Sequence, residues 1–209
     1  MSNAMTVAYT IDRRMYLNIT NRCQNDCEFC IRRTGGIGYD LWLEREPTVE
    51  EILAAARDAQ RYQEVVFCGY GEPLLCLETV TEVAREIHRL GVPIRVNTNG
   101  QVLLYYDIAA VDELLNNVSA MSISLNAQDA ETYVRICRPR DGVKAYEAIL
   151  QFVRYCCSKG VKVILTAVEW PGVDLEACAR IAGELRAAFR IRRFQGSTNT
   201  RVKNWPYPS

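Results

Sequence analysis

Short apolar runs recur along the chain, each followed by a longer segment in which apolar residues return every three or four positions. The runs fall at residues 15–19, 64–68, 94–97, 121–125, 161–167 and 191–195, and in the second of them Val65, Val66 and Phe67 stand just before a glycine cluster. Runs of this length bounded by polar or glycine positions predict short buried strands. Six strands are therefore expected.

The intervening segments carry helix signals. Pro47 and Thr48 precede Glu50, Glu51, Ile52 and an alanine-rich stretch to Ala59, with Thr48 as the N-cap. Further helices are predicted at 77–90, ended by Gly91 and Pro93, at 108–116, at 146–158, ended by Gly160, and at 174–188. A short helical piece at 129–136 precedes the break at Pro139. No dipeptide of the hairpin type joins two apolar runs, since a helix follows Asn99-Gly100. Strands alternating with helices then predict right-handed βαβ units and a parallel sheet. Eight such units close a barrel in about 250 residues. Six of them in 209 residues suit an α/β fold of the partial (β/α)6 TIM-barrel type, with a doubly wound sheet as the other solution.

Half of the chain is apolar, so one core is expected, filling a domain of residues 5–195. Residues 1–4 read as a remnant of cloning before Met5, and the proline-broken polar stretch 196–209 reads as a loose tail. The 25 basic and 25 acidic residues cancel, which gives no electrostatic footprint for nucleic acid or an anionic membrane. The apolar runs are far shorter than a bilayer span and no leader opens the chain, so the expected location is the cytoplasm.

Nine cysteines are many for such a protein, and an odd number fits a disulfide framework poorly. Cys68, Cys76, Cys137, Cys156, Cys157 and Cys178 lie in or beside apolar segments, where cysteine acts as a small hydrophobe. The other three stand together directly after the first predicted strand, in Asn18-Ile-Thr-Asn-Arg-Cys23-Gln-Asn-Asp-Cys27-Glu-Phe-Cys30. Four explanations compete. A closed zinc site needs four protein ligands, and there is no second cluster; the one histidine, His88, falls in a predicted helix. A redox pair of Cys27 and Cys30 leaves Cys23 without a role. Three incidental core thiols fit poorly beside Gln24, Asn25, Asp26 and Glu28. An iron–sulfur cluster held by Cys23, Cys27 and Cys30 leaves one iron open, as a reactive cluster requires.

This spacing, with the aromatic Phe29 before the third cysteine, resembles the signature of the radical S-adenosylmethionine (SAM) superfamily. The resemblance implies a 4Fe-4S cluster on Cys23, Cys27 and Cys30, SAM chelated at the open iron, and reductive cleavage to a 5'-deoxyadenosyl radical that takes hydrogen from a substrate. The difficult chemistry is then the cofactors' own. After the second strand, Cys68-Gly69-Tyr70-Gly71-Glu72-Pro73 is similar to the family's Gly-Gly-Glu-Pro turn, with Tyr70 in place of one glycine. Gly69 and Gly71 would allow close backbone approach, Glu72 would accept from the SAM ammonium, and Pro73 would stiffen the turn. An ordinary βα turn is the competing explanation.

Asn97-Thr98-Asn99-Gly100 resembles a further family turn, which points to Asn99. By the same resemblance Ser124 and Asn126 contact the ribose or methionyl part of SAM, and Arg135 or Arg138 pairs with the SAM carboxylate or an acidic substrate. Thr166 and Val168, with Phe194 and Gln195, are expected near the nucleoside by position. Asn97 replaces an acidic residue of some relatives, and Ile31 stands where several activating enzymes have histidine. The wording of residues 18–33 most resembles the compact radical SAM proteins associated with TatD-type nucleases. The resemblance also implies a one-electron reductant such as flavodoxin or ferredoxin, and an unidentified small-molecule or protein substrate. A metal-binding or redox-sensing module without SAM turnover is the rival, and an activase of a protein partner a further alternative. All four motifs follow the carboxyl ends of successive predicted strands, and in a parallel barrel those ends share the rim where active sites form.

Overall fold

The computed structural model describes residues 5–34 and 38–194. Its strands are β1 (Ala8–Ile11), β2 (Arg14–Leu17), β3 (Glu64–Phe67), β4 (Ile94–Thr98), β5 (Ala120–Ser124), β6 (Lys162–Val168) and β7 (Ala188–Arg192). The helices are α1 (Ile31–Thr34), α2 (Val49–Ala55), α3 (Leu77–Arg89), α4 (Ile108–Leu115), α5 (Ala130–Cys137), α6 (Val143–Ser158) and α7 (Leu175–Glu184). The seven strands form one sheet in sequence order. β2 to β7 are parallel throughout, with helices between them, so the architecture is the expected α/β partial barrel. Among the described residues no helix is long and apolar enough to cross a membrane.

Alternation along the strands separates two faces. Met15, Leu17, Val65, Phe67, Val96, Met121, Ile123 and Leu165 join α3, α4 and α6 in one apolar core. The opposite face turns into the barrel and is polar. At its amino-terminal end Glu64 takes Arg95 at 2.9 Å and Arg14 at 3.3 Å, and Arg95 also donates to Asn97 Oδ1 at 2.6 Å. Asn97, Cys68, Ser124 and Arg192 remain half-buried above this network, which leaves the carboxyl end of the barrel open.

Several elements differ from expectation: the short α1 was not predicted, α2 ends at Ala55 rather than Ala59, and α6 begins at Val143 rather than 146. β1 was not predicted: it pairs antiparallel with β2, Ala8 opposite Leu17 and Ile11 opposite Arg14. Its turn uses Asp12 at φ 54°, a left-handed conformation that aspartate tolerates without the usual glycine signal. The last helix ends at Glu184 rather than at 188, and Arg186 at φ 58° turns the chain so that Ala188 begins β7. Leu185, Arg186, Ala187 and Ala188 favour helix, but pairing of Ala188 with Ile164 of β6 overrides that preference. The predicted strand 191–195 accordingly moves to Ala188–Arg192, and Gln195 lies outside the described residues, as do the predicted remnant 1–4 and tail 196–209. At the first predicted helix, Thr48 is the N-cap, with a capping box formed with Glu51.

Candidate functional site

The loop after β2 crosses the carboxyl rim and is fastened at both ends. On one side Thr20 Oγ1 donates to Glu46 at 2.6 Å, Arg22 Nε donates to the same carboxylate at 2.6 Å, and Asn21 exchanges hydrogen bonds with Leu43. On the other side the loop docks on α5: Asp26 N donates to the Cys137 carbonyl at 3.0 Å and Glu28 N to the Ile136 carbonyl at 2.9 Å. Beneath it Asn25, Gln101 and Tyr133 form a buried triad. Asn25 Nδ2 donates to the Tyr133 hydroxyl at 2.8 Å, and Gln101 Nε2 donates to Asn25 Oδ1 at 2.8 Å. Buried polar groups held this way fix the loop in one conformation.

This loop carries Cys23, Cys27 and Cys30, all free and half-buried. Burial, and then the charge of Glu72, pushes the Cys23 thiol up to about 12. Cys27 is also raised, first by its hydrogen bond with Cys137 and then by burial. Phe29 is buried and meets Trp170 edge-on at 5.6 Å, so it packs the loop down rather than facing a ligand. Trp170 in turn donates to Glu28 and packs on Phe194.

The Gly69–Pro73 turn presses against the same loop. A Cβ on Gly69 would lie 2.0 Å from Asn18 Oδ1, and one on Gly71 would lie 2.3 Å from the Thr20 carbonyl oxygen and 2.5 Å from that of Arg22. Glu72 N donates to the Arg22 carbonyl at 2.7 Å across this contact. Gly71→Ala is therefore expected to destabilise the protein by about 2–4 kcal/mol in urea unfolding, because the obstacle is backbone. Pro73 starts the short 3-10 turn Pro73–Cys76, for which Glu72 is the N-cap.

The Glu72 side chain is engaged by the protein itself. Its carboxylate is buried and already accepts from Leu74 N at 3.0 Å, Thr98 Oγ1 at 2.6 Å and Asn99 N at 2.6 Å. It ties the turns after β3 and β4 together. Asn99 extends this tie, since its Oδ1 accepts from Gln24 at 3.3 Å and its Nδ2 points at Cys23 Sγ at 4.0 Å.

On the inner face Ser124 lies level with Thr166 in the β5–β6 register. Asn126, at φ 59°, donates from its backbone to the Thr166 carbonyl and from its side chain to Cys137 Sγ. Val168 packs in the apolar core instead. Neither expected arginine faces the barrel. Arg138, 48% exposed, pairs with Glu28 at 2.8 Å, and Arg135 is exposed and lies over Gly172. α5 turns Arg135 outward because its inner side holds Tyr133, Ile136 and Cys137, and the left-handed cap at Arg138 carries that side chain outward as well. The arginine that does enter is Arg192, whose Nη2 donates to Asn126 Oδ1 at 3.2 Å and Ser124 Oγ at 3.3 Å. The sequence places Arg192 inside the predicted run 191–195, of which only Phe194 and Gln195, at its carboxyl end, were expected near the nucleoside.

An open parallel barrel with a thiol-bearing loop pinned on its carboxyl rim is the architecture of a cofactor-using barrel enzyme. The sequence profile of the Radical SAM superfamily matches residues 17–185, and the chain belongs to that superfamily. It is similar to the probable dual-specificity RNA methyltransferase RlmN of Trichormus variabilis, at 37% identity over 87 residues, 40% of this chain and 24% of the relative. The RlmN 1 of Opitutus terrae is 31% identical over 180 residues, 81% of this chain and 49% of that one. The chain thus spans half or less of the length of these relatives. Streptococcus suis SuiB bound to S-adenosylmethionine shares the fold, with a TM-score of 0.67 at 17% identity over 91% of this chain and 43% of that chain.

The family implies a 4Fe-4S cluster and SAM, and the donors present fit both. The loop offers three thiols, and among the described residues no three Cys, His, Asp or Glu side chains converge as one bound ion would need. Three ligands to three separate irons stand farther apart than ligands to a single ion. Gln24 Oε1, beside Cys23, is a buried acceptor without a donor among the described residues, which suits a ligand bearing N–H groups.

Proposed function

We propose that this protein is a radical SAM enzyme in which Cys23, Cys27 and Cys30 hold the 4Fe-4S cluster. The observation that carries the reading is the pinning of the three-cysteine loop by Gly71, Glu72 and Asn99, directly above an open polar barrel. When bound, the cluster and SAM together supply a 5'-deoxyadenosyl radical for hydrogen abstraction. The chain's own residues supply the geometry. Gly71 lets the turn reach the loop, Asn99 stands beside Cys23, and Ser124, Asn126 and Thr166 face the nucleoside from β5 and β6. Phe29 and Trp170 keep water from the far side of the loop.

The domain is residues 5–195, and within the superfamily we group it with the compact TatD-associated proteins on the wording of residues 18–33. The relatives named RlmN are methyltransferases of RNA, but 25 basic against 25 acidic residues give this chain no excess charge for RNA. A small-molecule or protein substrate follows, with a one-electron reductant such as flavodoxin or ferredoxin. The reducing cytoplasm suits the free thiols.

The test is anaerobic reconstitution with iron and sulfide, reduction by dithionite and addition of SAM. A brown protein that yields 5'-deoxyadenosine is the expected result. Stoichiometric zinc with no SAM binding, or a loaded cluster that never yields deoxyadenosine, would overturn the proposal.

A further inference from the structure

Arg192 is the last residue of β7, a margin of the open sheet, and its side chain runs inward to Ser124 and Asn126. Its Nε is buried and has no hydrogen-bond partner among the described residues. The groups that act on it most strongly are the thiols of Cys68, Cys27 and Cys137 and a second cation, Arg190. Two other arginines of the inner face, Arg14 and Arg95, behave differently, since they share Glu64.

A buried guanidinium N–H without an acceptor is costly, and a like charge two residues away on the same strand adds to that cost. Such an arrangement persists in a site whose anion arrives from outside. The guanidinium fork suits the two oxygens of a carboxylate or phosphate group.

We propose that Arg192 anchors an oxyanion of the substrate inside the barrel, next to the Ser124 and Asn126 side chains. The inference deepens the radical SAM reading by naming a substrate class, compounds that carry a carboxylate or phosphate. The anchor sets the substrate's position and takes no part in hydrogen transfer.

The experiment is thermal melting of the reconstituted protein, with and without SAM, as acetate or inorganic phosphate replaces chloride at fixed ionic strength. Wild type should show a saturable rise in melting temperature in both series. In Arg192→Gln the apparent anion affinity should fall by about tenfold or more, and in Arg192→Lys by less, because the charge stays and the fork is lost. In chloride alone Arg192→Gln should melt no lower than wild type, since it removes a buried donor that lacks an acceptor; a purely structural arginine would give a large fall. An equal anion response in Arg192→Gln overturns the proposal. So does a tenfold loss of SAM affinity in that variant, measured by equilibrium dialysis, which would assign the cation to the methionyl carboxylate. Wild type that shows the anion response without SAM yet never binds SAM would instead remove the radical SAM reading and leave the anion site standing.

Discussion

Cys27→Ala is expected to fold, to lose the iron–sulfur absorbance after reconstitution, and to form deoxyadenosine at less than about one-thousandth of the wild-type rate. The reason lies in the number of ligands. Three thiols leave one iron open for SAM, so the site has no spare donor: the thiol next to Cys27 is Cys137, which is fully buried and engaged by Asn126. Cys157→Ala, a half-buried thiol on α6, is the control and should keep both cluster and rate. Retention of a full cluster in Cys27→Ala would show the ligand assignment to be wrong. Loading should also depend on pH. Cys23 and Cys27 are held above the ordinary thiol range and must lose protons to bind metal, so cluster uptake should weaken as pH falls.

How much of this was legible in the sequence depends on the range of the interaction. The six parallel strands, the Thr48 cap and the shared rim follow from local pattern, and those predictions agree with the fold. The glycines of the Gly69–Pro73 turn were expected at a close approach, and Gly71 makes one, although to the cysteine loop rather than to a ligand. What was missed depends on contacts between distant segments. The Asn25–Gln101–Tyr133 triad joins three places in the chain, and no spacing rule links them. β1 lacks a hairpin dipeptide, and β7 begins inside a stretch of strong helix formers. Arg192 lay inside the predicted run 191–195, but with the strand shifted it stands at the carboxyl end, where Gln195 was expected. Arg138 sits in a motif that suggested an inward cation, but the left-handed turn ending α5, at φ 44°, carries it outward to Glu28.

Glu72 offers the second large effect, in stability rather than chemistry. Removing its carboxylate strands three donors, Leu74 N, Asn99 N and Thr98 Oγ1, in a buried place. Each unsatisfied group costs about 1–3 kcal/mol, so Glu72→Ala should lose about 3–5 kcal/mol in denaturant unfolding and with it the fixed pose of the cysteine loop. Glu72→Gln should fail in part as well: the two carboxylate oxygens each accept from a backbone N–H, and an amide nitrogen cannot accept from either. The pH dependence has a definite sign. Burial raises the Glu72 carboxyl to about 7, against the opposing pull of its three hydrogen bonds. Between the unfolded value near 4.5 and about 7 the folded protein holds a proton that the unfolded chain has released. Its contribution is thus complete below the unfolded value and is lost as pH rises through about 7, by roughly 3 kcal/mol in all. Unfolding of wild type and Glu72→Gln compared at pH 5 and pH 8 isolates this contribution, since the amide does not titrate. The stability gap between the two proteins should narrow as pH rises. A gap that stays constant would mean that the Glu72 carboxyl is ionised throughout, with the hydrogen bonds prevailing over burial.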